Sequence, residues 1–155
     1  MALSTFGANV ELVAALHRGG VRFMVIGGVA TAHYAPERVS EDPGEIDLLI
    51  EPAADNASRL IGALASLGVG DAAITVERVA RLNVQVQVKN GGFFYADIVT
   101  PRPDDDDFAA LFARAVDERL GLTPVKVISK NDQLARLRRS DQAKHQRDVE
   151  LLEKA

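Results

Sequence analysis

The chain has 155 residues, 47% hydrophobic and 26% charged, the composition of one globular domain with a proper core and little room for a second. It contains no cysteine, which excludes disulfides and thiolate metal sites and fits a reducing cytoplasm. Its formal net charge of −4 argues against strong non-specific binding of nucleic acid by the chain as a whole.

Val10, Val13, Ala14 and Leu16 fall near one face of a helix that runs to Arg18 and stops at Gly19-Gly20. Val21 to Ile26 reads as a strand ended by Gly27-Gly28, and Val29 to Tyr34 as a helix broken by Ala35-Pro36. A polar loop from Arg38 to Gly44 leads into the strand Glu45 to Ile50. Asn56 to Leu67 is an amphipathic helix ended by Gly68. Ile74 to Arg78 reads as a short strand, and Leu82 to Lys89 as a half-buried antiparallel one. Asn90-Gly91-Gly92 is a hairpin turn before the returning strand Phe93 to Val99. The acidic block Asp104 to Asp107 lies in a turn-rich loop, and Phe108 to Glu118 reads as a helix. A short strand, Val125 to Ile128, is followed by Ser129 as N-cap and a helix to Arg139; Gln142 to Lys154 is the last helix. With aromatics at 5% and no Trp, the core is expected to be mostly Val, Leu, Ile and Ala. The absence of a leader-like segment, and of any apolar run near ~18 residues, leads to the expectation of a soluble cytoplasmic protein without membrane contact.

Four features carry chemistry. Glu45 and Asp47 stand at i and i+2 of a strand and so share a face, about 7 Å apart along the backbone. On an isolated strand such a pair is ordinarily a solvent-facing edge; here it opens a strongly aliphatic run, and a hard divalent cation is the usual partner of two adjacent carboxylates. Asp97 lies within Phe93 to Val99, where a charge is costly unless paired, exposed or metal-bound. Gly27-Gly28, at a strand-to-helix junction, is either an ordinary tight turn or a place where backbone N–H groups meet a phosphate. Arg38 and Ser40 offer a guanidinium and a hydroxyl suited to phosphate oxygens.

The text Val25-Ile26-Gly27-Gly28-Val29-Ala30-Thr31-Ala32-His33, then Arg38-Val39-Ser40-Glu41-Asp42, then Glu45-Ile46-Asp47-Leu48-Leu49-Ile50 resembles the nucleotidyltransferase superfamily, the polymerase-beta-like fold. Within it the likeness is to the small bacterial branch that includes AbiEii-type and MNT-type toxin–antitoxin proteins. Asp97 stands where that branch has its third carboxylate. The tail from Val125 through Asp132-Gln133-Leu134 to Arg147-Asp148-Val149-Glu150-Leu151-Leu152 is similar to its ending. The resemblance spans Phe23 to Leu152 and implies an α/β (α+β) fold: a nucleotidyltransferase-like mixed β-sheet flanked by helices, with C-terminal helices, in a single domain over 1–155.

The resemblance further implies transfer of an NMP from an NTP to a hydroxyl of a protein, tRNA or small molecule. Glu45, Asp47 and Asp97 would be catalytic and bind Mg²⁺ or Mn²⁺, and Gly27, Gly28, Arg38 and Ser40 would hold the nucleotide. One departure stands out. The branch runs from Arg-x-Thr straight into Asp-x-Asp, whereas here Pro43-Gly44-Glu45 precede Ile46-Asp47. The first carboxylate is then Glu45, unless Asp42 folds back into its place. His145 also replaces an acid of the branch's last helix. The alternative is a catalytically silent member, a binding or antitoxin-like module whose basic helices, around Arg136, Arg138, Arg139, Lys144 and Arg147, face a partner protein or RNA.

Overall fold

The computed structural model describes residues 3, 7–38, 45–90 and 94–155. Its elements in chain order are α1 (Gly7–Arg18), β1 (Phe23–Ile26), α2 (Gly27–Tyr34), β2 (Glu45–Ile50), α3 (Ala54–Ser66), α4 (Val76–Val79) and β3 (Gln85–Asn90). They continue as β4 (Phe94–Val99), α5 (Phe108–Arg114), β5 (Val116–Leu120), β6 (Thr123–Val127), α6 (Lys130–Arg138) and α7 (Ala143–Lys154). The strands form one mixed six-stranded sheet in the order β3-β4-β2-β1-β6-β5. This is the mixed α/β sheet with flanking and C-terminal helices expected from the sequence.

The aliphatic strands sit at its centre. Phe23 to Ile26 of β1, and Ile46, Leu48, Leu49 and Ile50 of β2, are all buried, as strands covered on both faces must be. Strand β2 runs antiparallel to β1 and parallel to β4. Helix α1 packs against α3, β4 and β6, while α2 packs on β1 and β2 and against α6 and α7. Helices α6 and α7 share a small core of Leu134, Leu137, Val149 and Leu152. Tyr34 joins that core to the sheet, its hydroxyl donating to the Ile128 carbonyl at 2.7 Å. No described helix is long and apolar enough to cross a membrane.

Two readings are corrected. Ile74 to Arg78 is not a strand: the Thr75 hydroxyl accepts the Arg78 N–H at 3.1 Å and starts the one-turn helix α4, an N-cap overriding β-branched propensity. The helix read as far as Glu118 stops at Arg114, and Val116 to Leu120 forms an edge strand paired antiparallel with β6. Its half-buried Val116 and Glu118 and buried Leu120 alternate with exposed Asp117 and Arg119, a period of two hidden among helix-forming residues. The start of α6 is capped as expected, with the Ser129 hydroxyl accepting the Asp132 N–H. The turn residues Gly91 and Gly92 lie outside the described residues; β3 and β4 pair antiparallel on either side of them.

The acidic block finds its partners inside the fold. Asp105, its side chain 1% exposed, takes ion pairs from Arg136 and Arg139 and accepts the Arg102 N–H at 2.8 Å. Arg114 bridges Asp106 and Asp132. Helix α6 is thereby fastened to the loop that follows β4. Arg138 pairs with Glu153 of α7. Three of the five basic residues read as facing a partner are therefore engaged within the fold, and Lys144 and Arg147 line the cleft described next.

Candidate active site

Sheet register assembles the carboxylates. Parallel pairing sets Asp47 of β2 opposite Asp97 of β4, and Glu45 lies two residues before Asp47 on the same face. One carboxylate oxygen from each of Glu45, Asp47 and Asp97 lies within 4.8 Å of the others. Ser40 and Asp42 lie outside the described residues, and Glu45 supplies the first carboxylate oxygen of this cluster. It is the one additional methylene of Glu45 that separates it from the Asp of the resembling branch, and its oxygen still reaches the group.

The electrostatics follow from that packing. Burial, then the neighbouring charge of Asp97, pushes the Asp47 carboxyl up to about 7, and a hydrogen bond between the two acts the same way; Lys144 and Arg38 pull against it. Carboxylates this close resist being ionised together. A set of hard oxygen donors without imidazole or thiolate suits Mg²⁺ or Mn²⁺, and a divalent cation would relieve the repulsion. The residues present thus fit the metal.

A pH dependence follows for the metal-free protein. Asp47 titrates near 3.8 in an ordinary setting and near 7 when folded, so between those values the native state binds the extra proton. Stability is therefore expected to fall as pH rises from about 4 to about 7 and to level off above, by on the order of 2–4 kcal/mol. Urea denaturation across that range should show the decline, and Asp47→Asn should flatten it. A wild-type profile that rises with pH there would contradict the assigned cause.

The glycine pair is shaped around these groups. Gly27 has φ +69° and lies directly after β1, where Ile26 pairs with Asp47. A β-carbon on Gly27 would overlap Asp47 Oδ2 and come within 2.8 Å of its Cγ. A β-carbon on Gly28 would meet the Arg38 guanidinium at 2.9 Å. Both positions need glycine for close approach, and Gly27 also for its backbone. Gly27→Ala is expected to destabilise by about 1–3 kcal/mol and to displace the Asp47 carboxylate. Paired measurements of melting temperature and Mg²⁺ affinity would check this, and unchanged affinity would count against it.

Arg38 lies over Gly28, its Nε donating to Asp148 Oδ1 at 3.3 Å, with side-chain exposures of 17% and 8%. Gln133 of α6 donates from Nε2 to the Gly27 carbonyl at 3.0 Å and to Thr31 Oγ1 at 3.1 Å. These contacts tie the glycine turn to α6 and α7. They also close one side of a cleft of about 570 Å³ that contains the three carboxylates, Gly27, Gly28 and Arg38. Arg136, Ser140, Lys144, His145 and Arg147 line the same cleft.

The sequence reading assigns no role to Gln133 or Asp148, and it takes Arg136, Lys144 and Arg147 as facing a partner, whereas they line this cleft. One signal was available for Gln133: a polar side chain on the apolar flank of a helix, beside Leu134 and Leu137. The bond from Arg38 to Asp148 of the last helix joins residues 110 positions apart, and no spacing pattern announces it.

No family model and no curated protein matches the chain. Solved structures do match in shape. The lincosamide antibiotic adenylyltransferase LnuA, lincomycin-bound, superposes with a TM-score of 0.63 at 16% identity, over 97% of this chain and 98% of that one. ANT(2″)-Ia in complex with adenylyl-2″-tobramycin gives 0.59 at 16% identity, over 94% and 88%. An antigenic nucleotidyltransferase-like protein from Paracoccidioides brasiliensis gives 0.50 at 16% identity, over 92% and 72%. At these identities the shared property is the fold.

Proposed function

We propose that this chain, which has the nucleotidyltransferase fold, is a metal-dependent nucleotidyltransferase that moves an NMP from an NTP to a hydroxyl. The observation that carries the reading is the convergence of Glu45, Asp47 and Asp97 oxygens within 4.8 Å, in a cleft shared with a glycine turn and a guanidinium. Displacement at phosphorus asks for charge neutralisation and positioning more than for covalent chemistry, and these groups supply both.

In this reading Glu45, Asp47 and Asp97 hold the metal. Bound there, it would neutralise phosphate charge and lower the pKa of a coordinated hydroxyl. Gly27 and Gly28 let backbone N–H groups at the start of α2 approach the phosphates. Arg38, oriented by Asp148, contacts a phosphate oxygen, and Ser40 is the proposed second contact from the same loop. Asp97 receives the acceptor's proton. Pyrophosphate leaves from the side opposite the incoming oxygen.

Two of the fold's neighbours carry small antibiotics or their adenylylated products, and on that likeness the acceptor is assigned to small hydroxylated molecules. A protein or tRNA acceptor, in a toxin–antitoxin setting, is the competing assignment. A cytoplasmic site of action follows from the need for NTP.

The test is calorimetry with each of the four NTPs, with and without Mg²⁺, followed by transfer of α-labelled NMP to a panel of small hydroxylated compounds, tRNA and lysate protein. Binding of an NTP only with Mg²⁺ is the expected result. Wild-type protein that binds neither ion nor nucleotide would remove the reading and leave the silent binding module. Labelling confined to tRNA or protein would overturn the small-molecule assignment alone.

A further inference from the structure

A second set of reactive groups lines the same cleft as the carboxylates. Ser140 and His145 both line it, from the α6–α7 connection and from the first turns of α7. Ser140 Oγ lies 2.5 Å from His145 Nδ1. The same oxygen accepts the Gln142 N–H at 3.2 Å, and in the tautomer that carries its ring hydrogen on Nε2 the hydroxyl donates to Nδ1. The Ser140 carbonyl accepts from Gln146 Nε2 at 2.8 Å, so the residue is held at both ends. Arg38 and Lys144 act electrostatically on His145 and also on Asp47. The dyad and the carboxylates therefore border one charged space, the one assigned above to the NTP.

A hydroxyl hydrogen-bonded to a neutral imidazole is an activated nucleophile. Burial, then the neighbouring Lys144, holds the His145 imidazole below its ordinary value, which keeps it able to accept a proton at neutral pH.

We propose that Ser140 is itself an acceptor: in the presence of an NTP and Mg²⁺ the chain nucleotidylates its own Ser140, with His145 as the base. This rests on the nucleotidyltransferase reading of the same cleft. Ser140 Oγ forms a bond to the α-phosphorus, and the bond from that phosphorus to the bridging oxygen of the β-phosphate breaks. Pyrophosphate leaves with the electron pair, and the hydroxyl proton passes to His145 Nδ1. The product is a nucleoside monophosphate joined to Ser140 as a phosphodiester. Its bulk would occupy the cleft that the carboxylates also line and so limit further turnover.

The experiment incubates wild-type protein with Mg²⁺ and each α-phosphate-labelled NTP, with binding of the same nucleotides measured in parallel by calorimetry. Intact mass should rise by one nucleoside monophosphate, and peptide mass spectrometry should place it on Ser140. Because acceptor and cleft belong to one chain, the first-order rate should not change on dilution. His145→Gln should slow labelling on the order of 10²-fold with the label still on Ser140. Ser140→Ala should remove it in protein whose melting curve shows it is folded. A label on another residue, or none while wild type binds nucleotide, overturns this inference and leaves the transferase reading standing. Wild type that binds no nucleotide overturns both.

Discussion

Asp47→Ala is expected to lower Mg²⁺-dependent NMP transfer on the order of 10³-fold and to abolish Mg²⁺-dependent NTP binding by calorimetry. The size of the effect comes from where Asp47 stands. It is the middle carboxylate of the three, opposite Asp97 in one pairing and opposite Ile26 in the other. It also packs so tightly under Gly27 that no β-carbon fits there. Neither neighbour can move into its place, because each is fixed by the register of its own strand. The same substitution is expected to stabilise the metal-free protein above pH 7, since it removes a carboxylate that burial and Asp97 disfavour in its ionised form. A variant that is more stable and inactive separates a functional role from a structural one. Retained transfer by Asp47→Ala would sink the proposed metal site.

Asp105→Ala is expected to destabilise the fold by about 3–5 kcal/mol, read as a loss in the urea midpoint. The corresponding fall in melting temperature is roughly 10 °C. Asp105 is 1% exposed and Arg136 10% exposed, so removing the carboxylate leaves a guanidinium buried without its anion. Burial already disfavours the Arg136 charge, and the nearby Asp105 carboxylate is what chiefly supports it. Arg139 and the Arg102 N–H lose the same partner. Because this junction holds α6, and α6 carries Gln133 against Gly27, nucleotide affinity is expected to fall along with stability. A change under about 1 kcal/mol would place Asp105 among ordinary surface ion pairs and remove the argument that it anchors α6.

The two acidic motifs were legible in the chain to very different degrees. Glu45 to Ile50 announced its strand and the shared face of its carboxylates: Ile46, Leu48, Leu49 and Ile50 are buried, and Glu45 and Asp47, two residues apart at its mouth, stand on one face. Asp104 to Asp107 announced only charge. Its role as the counter-anion of α6 depends on a loop and a helix about thirty residues apart meeting in space, and charge composition carries no information on which cation is met. The short strand β5 was hidden because Asp, Glu and Arg favour helix locally, and pairing with β6 overrode that preference. Helix α4 was missed for the converse reason, a single capping hydroxyl outweighing Val and Ile in its neighbourhood.

Spacing along the chain specifies the strongly periodic elements, the glycine turn and which three carboxylates to look for. Each is a matter of spacing along one strand or of one residue type at one junction. Folding adds what spacing does not hold: Asp97 in register with Asp47, Arg38 bonded to Asp148, and Ser140 and His145 lining one cleft. Those relations are fixed by strand order and by the docking of α6 and α7, long-range contacts whose loop-closure cost is offset by core packing and leaves no periodic trace in the chain.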